Sequence, residues 1–193
     1  MNELLRNNIT KHLSLQEEQL QQFCNLFEYR AFKKKTHFLT EGQVCAHEGF
    51  VLSGLFRIYH LDSNGVEQIL YFAPEDWWIA DIDSFCNQKP SNLFIEALED
   101  SEVLLISRKN KEFAYEHFPA IEKLFRIMTQ KTHVALQRRM IDNLSKTADL
   151  RYIDFIDKYP HLFNRLSNKQ IAAYLGISHE FLSKIRNKLG RQK

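Results

Sequence analysis

The chain has 193 residues, 44% hydrophobic and 26% charged, with only six glycines and four prolines. That supports a real core and excludes a low-complexity or disordered chain. The net charge is +2, but residues 145–193 carry ten basic against four acidic residues, and residues 1–144 carry sixteen against twenty. No apolar run approaches the roughly 18–20 residues of a membrane span. Met1-Asn2-Glu3-Leu4-Leu5-Arg6 lacks the basic start and apolar core of a signal peptide, so a cytoplasmic protein without a membrane partner is expected. Cys24, Cys45 and Cys86 are odd in number and widely spaced, which predicts buried free thiols and neither a disulfide framework nor a zinc site.

Residues 2–27 read as helical. Ser14 and Glu17 have the spacing of a capping box, and Leu15, Leu20, Phe23 and Leu26 can face inward. From Glu28 the period changes. Lys33-Lys34-Lys35 interrupts the pattern, and short β-like segments follow. Phe50 to Tyr59 reads as strands on either side of Gly54. Asp62-Ser63-Asn64-Gly65 predicts a hairpin turn, because Asn-Gly readily adopts the required positive φ, and Val66 to Phe72 is the return strand. Leu93–Leu98 and Val103–Ser107 read as another strand pair, turning through Glu99-Asp100-Ser101. Short strands at regular spacing predict a β-roll or jelly-roll barrel, within an α+β chain.

Lys109 to Tyr115 predicts a short helix. Pro119 then opens a long one, at a position where its missing N–H costs little. Ile121, Leu124, Phe125, Met128, Ala135, Leu136, Met140 and Leu144 form its apolar stripe over about seven turns. A helix of that length beside a small barrel is expected to pair with a second copy, making a homodimer. Ser145 or Thr147 can cap the next helix, which runs through Tyr159 and buries Leu150, Ile153, Phe155 and Ile156; Pro160 ends it. The expected organisation is a sensor domain over 1–118, a long dimerisation helix over 119–144, and a reading domain over 145–193, with the boundary in Asn143–Thr147.

Leu166 to Leu189 reads as two helices joined by a tight turn. Lys169–Leu175 places Ile171, Ala172 and Leu175 on one face. Gly176-Ile177-Ser178 turns the chain, and Ser178 caps a second helix, His179–Leu189, that buries Leu182, Ile185 and Leu189. This is the spacing of a helix-turn-helix whose second helix enters the major groove, and the basic surplus of the same segment suits DNA. Enzyme motifs are missing: there is no Gly-rich phosphate loop, His-Glu-x-x-His run or Gly-x-Ser-x-Gly elbow. Cys45-Ala46-His47-Glu48 lacks the second close histidine of a metal-binding barrel. No catalysis, cofactor or metal is expected.

A β-roll, a long helix and a C-terminal helix-turn-helix, in that order, resemble the bacterial Crp/Fnr transcription regulators, which carry a cyclic-nucleotide-binding-like sensor domain. The resemblance spans nearly the whole chain. It is sharpest at Leu166–Leu189, at the Gly54 strand and at Ile106-Ser107-Arg108. It implies a homodimer reading a near-palindromic site in double-stranded DNA, with RNA polymerase as a further partner. The family's recognition helix often opens Arg-Glu-x-x-x-Arg; His179, Glu180 and Lys184 stand at those positions. Glu180 suits a cytosine amino group, Lys184 suits guanine, and Ser183 is a further contact. Lys169, Gln170, Arg186 and Lys188 are candidates for the phosphate backbone. The family's wing after the reading helix is not expected in a chain that ends at Lys193.

The resemblance weakens at the effector pocket. A cyclic-nucleotide site in this family has Gly-Glu-Leu, and about ten residues later Arg-Ser/Thr-Ala. This sequence has Ala80-Asp81-Ile82 and Ser91-Asn92-Leu93. Asp81 is shorter than Glu, and Ser91 cannot supply the cation that a buried phosphodiester needs. The expected effector is therefore an unknown small molecule, or none, and not cyclic AMP, with Trp78, Asp81, Ile82, Ser91, Asn92 and Thr132 as candidate pocket residues. The alternative is a cupin-like small-molecule or protein-interaction module that no longer reads DNA.

Overall fold

A computed structural model describes residues 2–190 of the protein. The chain divides into two compact units, Met1–His60 with Tyr71–Lys131, and Leu61–Leu70 with Thr132–Lys193. The expected reading domain thus ends in three residues outside the described range, and the expectation about a wing beyond them falls there too.

The first unit opens with α1 (Glu3–Thr10), capped by Asn2, whose side chain accepts from the Leu4 and Leu5 amides at 2.9 and 3.4 Å. Helix α2 (Glu17–Cys24) starts from Gln16 without a side-chain cap. The Ser14 capping box does not form, because the Glu17 carboxylate pairs with the Arg6 guanidinium. Leu5, Ile9, Leu13, Leu20 and Phe23 still face inward, in one cluster with Phe50, Ile106 and Ala114; Leu15 and Leu26 pack at its edge.

Two four-stranded sheets follow. The strands are β1 (Glu28–Phe32), β2 (His37–Leu39), β3 (His47–Ser53), β4 (Phe56–Leu61), β5 (Glu67–Ala73), β6 (Trp78–Ile79), β7 (Phe94–Ala97) and β8 (Ser101–Ser107). One sheet has the order β1-β8-β3-β6 and the other β2-β7-β4-β5. Phe32 meets Phe56 across the roll with ring centroids 5.7 Å apart, and Phe56, Ile58, Ile95 and Ala97 are fully buried. The Asp62–Gly65 turn forms as expected, with the Asp62 carboxylate accepting from the Asn64 and Val66 amides at 2.8 and 2.9 Å.

The expected hairpin of 93–98 with 103–107 does not form. Strand β7 pairs with β2 and β4, whereas β8 pairs with β1 and β3, so the chain changes sheets at Glu99–Asp100. The crossing is held from outside: Leu98 N donates to Leu55 O at 2.7 Å, and the Asp100 carboxylate accepts from Lys34 N at 2.8 Å and Lys33 Nζ at 2.9 Å. Gly54 sits beneath it at φ +93°, where a Cβ would fall 2.8 Å from the Ser101 Cα. Only glycine fits there, on conformation and on space.

Helix α3 (Ile82–Asn87) starts at Asp81, and α4 (Arg108–His117) at Ser107. Helix α5 (Pro119–Ser145) runs for 27 residues. Its apolar stripe divides. Ile121, Leu124 and Phe125 are buried in the first unit's own core with Met128 at its edge, while Ala135, Leu136, Met140 and Leu144 are exposed. Of the eight stripe residues, three are therefore consumed by packing within one chain. Val134 and Ile141 are exposed instead, at 43% and 56%.

The second unit continues with α6 (Ala148–Lys158), α7 (Pro160–Phe163), α8 (Asn168–Leu175) and α9 (His179–Gly190). Thr147 occupies the cap position of α6 without a side-chain bond, and Ser145 Oγ donates instead to Ile141 O at 2.8 Å. Helix α6 buries Tyr152 and Phe155, leaving Leu150 and Ile153 exposed, contrary to expectation. Pro160 both stops α6 and opens α7. Burial pushes the Cys24 and Cys45 thiols up to about 11, but Cys86 is exposed, so the expectation of three buried thiols fails there. Among the described residues, no helix is long and apolar enough to cross a membrane, and no group of three metal-ligating side chains assembles.

Candidate nucleic-acid interface

The C-terminal helical head is built by local chemistry. Ser167 caps α8 in a capping box: its hydroxyl accepts from the Gln170 amide at 3.3 Å, and the Gln170 side chain accepts from Ser167 N at 2.8 Å. Ile171, Ala172 and Leu175 are buried. Gly176 then ends the helix at φ +66°, with Ile177 N bonded back to Ala172 O at 3.1 Å. Ser178 caps α9 by accepting from Phe181 N at 3.1 Å, and Leu182 and Ile185 turn inward. A Cβ on Gly176 would meet nothing within 4 Å. Gly176→Ala is therefore expected to cost only the backbone strain, about 1–2 kcal/mol, read as the shift of a urea midpoint. A loss above about 4 kcal/mol would show that packing, not conformation, selects glycine here.

The exposed face of α9 carries His179, Glu180, Lys184 and Asn187, with Ser183 half-buried beside them and its Oγ bonded to His179 O at 3.0 Å. Glu180 lies below the ordinary glutamate range, because its carboxylate accepts from its own amide and from Ser178, so it presents an ionised acceptor. Phe181 is 45% exposed and was not singled out in the sequence. The signal was there: it is an apolar residue off the 182/185/189 stripe.

The four backbone candidates divide. Lys169 is exposed. The Gln170 side chain is engaged in the capping box. Arg186 bonds Asn168 and lies 5.4 Å from the Phe163 ring centroid, and Lys188 pairs with Asp149 at 2.6 Å. Both cations thus hold the head together internally.

Arg139, on α5, ties the second unit together. Its Nη2 donates to Ile69 O at 2.9 Å and to Tyr174 O at 2.7 Å, and its guanidinium lies 4.1 Å from the Tyr174 ring centroid. Burial lowers its pKa. The tip of the β4–β5 hairpin, Gly65 to Gln68, and the turn Gly176 to Ser178 line a shared open cleft of about 630 Å³ within this unit.

The effector candidates are placed as follows. Asp81 is 8% exposed and caps α3, its Oδ1 accepting from the Asp83 and Ser84 amides at 3.1 and 3.3 Å. Its Oδ2 accepts from Ser91 Oγ at 2.6 Å. Ser91 in turn accepts from Leu93 N at 2.9 Å. The two residues at the resemblance's ribose and phosphate positions are thus bonded to each other. Trp78 packs on Phe27, Phe50 and Phe125 and donates from Nε1 to Asn8 at 3.3 Å. Ile82, Asn92 and Thr132 are exposed.

Residues 29–116 match the family model for the cyclic nucleotide-binding domain. A search of curated proteins by sequence returns no match. Solved structures do match over most of the chain. The CLP protein of Xanthomonas campestris, described as a c-di-GMP-responsive global regulator, has 14% identity and a TM-score of 0.78, covering 92% of this chain and 93% of that one. A Eubacterium rectale protein described as a transcriptional regulator of the Crp/Fnr family has 17% identity and a TM-score of 0.73, covering 92% and 85%. The Thermus thermophilus catabolite activator protein has 16% identity and a TM-score of 0.60, covering 96% and 87%.

The class defined is an α+β protein with a β-roll that matches the cyclic nucleotide-binding domain model, a long helix and a C-terminal helical head. This is the fold of the Crp/Fnr transcription regulators.

Proposed function

We propose that the protein is a cytoplasmic, homodimeric, sequence-specific DNA-binding regulator of transcription, of the Crp/Fnr type. The observation that carries this is the two-sided α9: Leu182 and Ile185 buried against the head, and His179, Glu180 and Lys184 exposed together on the other side. An outward polar face of three to four side chains is what a major groove accepts. Two heads related by a two-fold axis would read half-sites about one helical turn apart. The exposed Ala135, Leu136, Met140 and Leu144 on α5 support the pairing, and RNA polymerase is the further partner this reading assigns. Cyclic AMP is not the assigned effector. Asp81 and Ser91 satisfy each other, and neither brings a cation to a phosphodiester.

The test is selection of bound duplexes from a random pool at near-physiological salt, followed by sequencing. A two-fold-symmetric motif is the expected outcome; absence of enrichment, with and without cell extract, defeats the reading. Once a motif is known, Lys184→Ala is expected to lose roughly 10- to 100-fold in affinity at one base pair per half-site while other positions keep their preference. A uniform loss across all sequences would reduce Lys184 to a phosphate contact.

A further inference from the structure

The junction of α5 and α6 forms a second, half-open cavity of about 70 Å³ within the second unit. Arg138, Arg139, Arg151 and Lys158 line it, beside the rings of Tyr159 and Tyr174. Asp142 and Asp154 also line it, but both are paired with Lys146, at 2.9 and 2.7 Å. Four basic side chains therefore line it against two acidic ones.

None of the four lining cations has a carboxylate partner among the described residues. Arg139 is bonded only to the Ile69 and Tyr174 carbonyls. Lys158 lies 5.1 Å from the Tyr159 ring centroid. Arg151 donates from Nη1 to Asn143 at 2.9 Å, while its Nε is shut off from solvent without an acceptor. That Nε is the single buried side-chain N or O atom so left among the described residues. Buried donors are nearly always satisfied, so a lone exception in a cationic cavity points to a missing acceptor. The charge of Arg151 also disfavours the charged form of Arg139, after burial itself.

We propose that this cavity binds a phosphate-bearing small anion, with Arg151 and Arg138 as its principal charged donors. The surplus of two positive charges among the lining residues suits a multiply charged oxyanion better than a monocarboxylate. Guanidinium forks match the tetrahedral oxygens of phosphate, and each Arg has five N–H donors, so Arg139 can keep its carbonyl bonds and still contribute. The site is made entirely by the second unit, whereas Asp81 and Ser91 belong to the first.

The experiment is thermal unfolding of the full chain with inorganic phosphate and pyrophosphate as probes, against sodium chloride at equal ionic strength. A saturable rise in Tm is expected, about 5 °C at roughly 100-fold excess over Kd. Arg151→Gln is expected to weaken binding at least tenfold. Arg138→Gln, at an exposed position that leaves the fold intact, is expected to do the same, while Lys33→Gln keeps full binding. A rise no larger than that in chloride overturns the proposal, as does an unchanged response in both arginine variants. Loss of duplex binding by those variants, with no phosphate response in the parent, would mark the cluster as a DNA-backbone contact and equally overturn it.

Discussion

Lys111→Ala is expected to destabilise the first unit by about 3–5 kcal/mol, with a fall in Tm of roughly 10 °C. Lys111 Nζ lies 2.5 Å from Glu48 Oε1, and the two side chains are only 11% and 5% exposed. The ammonium also sits 4.0 Å from the Phe125 ring centroid and 5.3 Å from that of Phe85. Removing it leaves the buried Glu48 carboxylate without its counter-charge. That penalty, not the worth of the pair itself, is what the variant measures. The double variant Glu48→Leu/Lys111→Met removes both charges, so it is expected to fall within about 1 kcal/mol of the parent. Urea unfolding followed by tryptophan fluorescence reads both. A single-variant loss below about 1 kcal/mol would mean that water reaches the pair.

Leu136→Glu combined with Met140→Glu is expected to produce a monomer and cut affinity for the selected duplex by at least roughly 100-fold. Two linked heads gain their avidity from an effective concentration that a separated pair lacks. Leu136 is 48% exposed and Met140 66%, so each substitution should cost the single chain no more than about 0.5 kcal/mol. Sedimentation equilibrium and a binding isotherm read the two effects together. A variant that stays dimeric, or a monomer that binds as tightly as the parent, removes this stretch of α5 from the proposed interface.

The C-terminal helical head was legible because its determinants are local. Gly176 needs a left-handed backbone, Ser178 accepts from the next turn, and Leu182 and Ile185 follow one helical period. Each is decided within about one turn of chain. The sheet was legible only as strands. Alternation in 93–98 and 103–107 shows which side chains go inward, but not which backbone supplies the hydrogen bonds. The partners β2 and β4 for one, and β1 and β3 for the other, come from remote segments.

The errors at Ser14, Leu150 and Ile153 share a cause. A capping signal loses to an ion pair made with Arg6, ten or so residues upstream in the chain, and a helical stripe has no label for the face that a second surface will cover. In the sensor, the resemblance put Asp81 and Ser91 in one place, but the 2.6 Å bond between them is a tertiary fact. The hinge cations were invisible for the same reason: Arg138 and Arg139 are thirteen and twelve residues from Arg151, and only the fold makes them neighbours.

Arg139 has a bearing on how this protein tolerates mutation. Both of its acceptors are main-chain carbonyls, on Ile69 and on Tyr174, and every amino acid supplies one. Replacing the side chain at position 69 or 174 leaves that acceptor in place, although Ile69 is itself buried and the Tyr174 ring packs on Phe155. The junction of strand and head therefore rests on the identity of one residue. Its robustness is lopsided: the two hydrogen bonds survive a change of side chain at positions 69 and 174, and are lost with any change at 139.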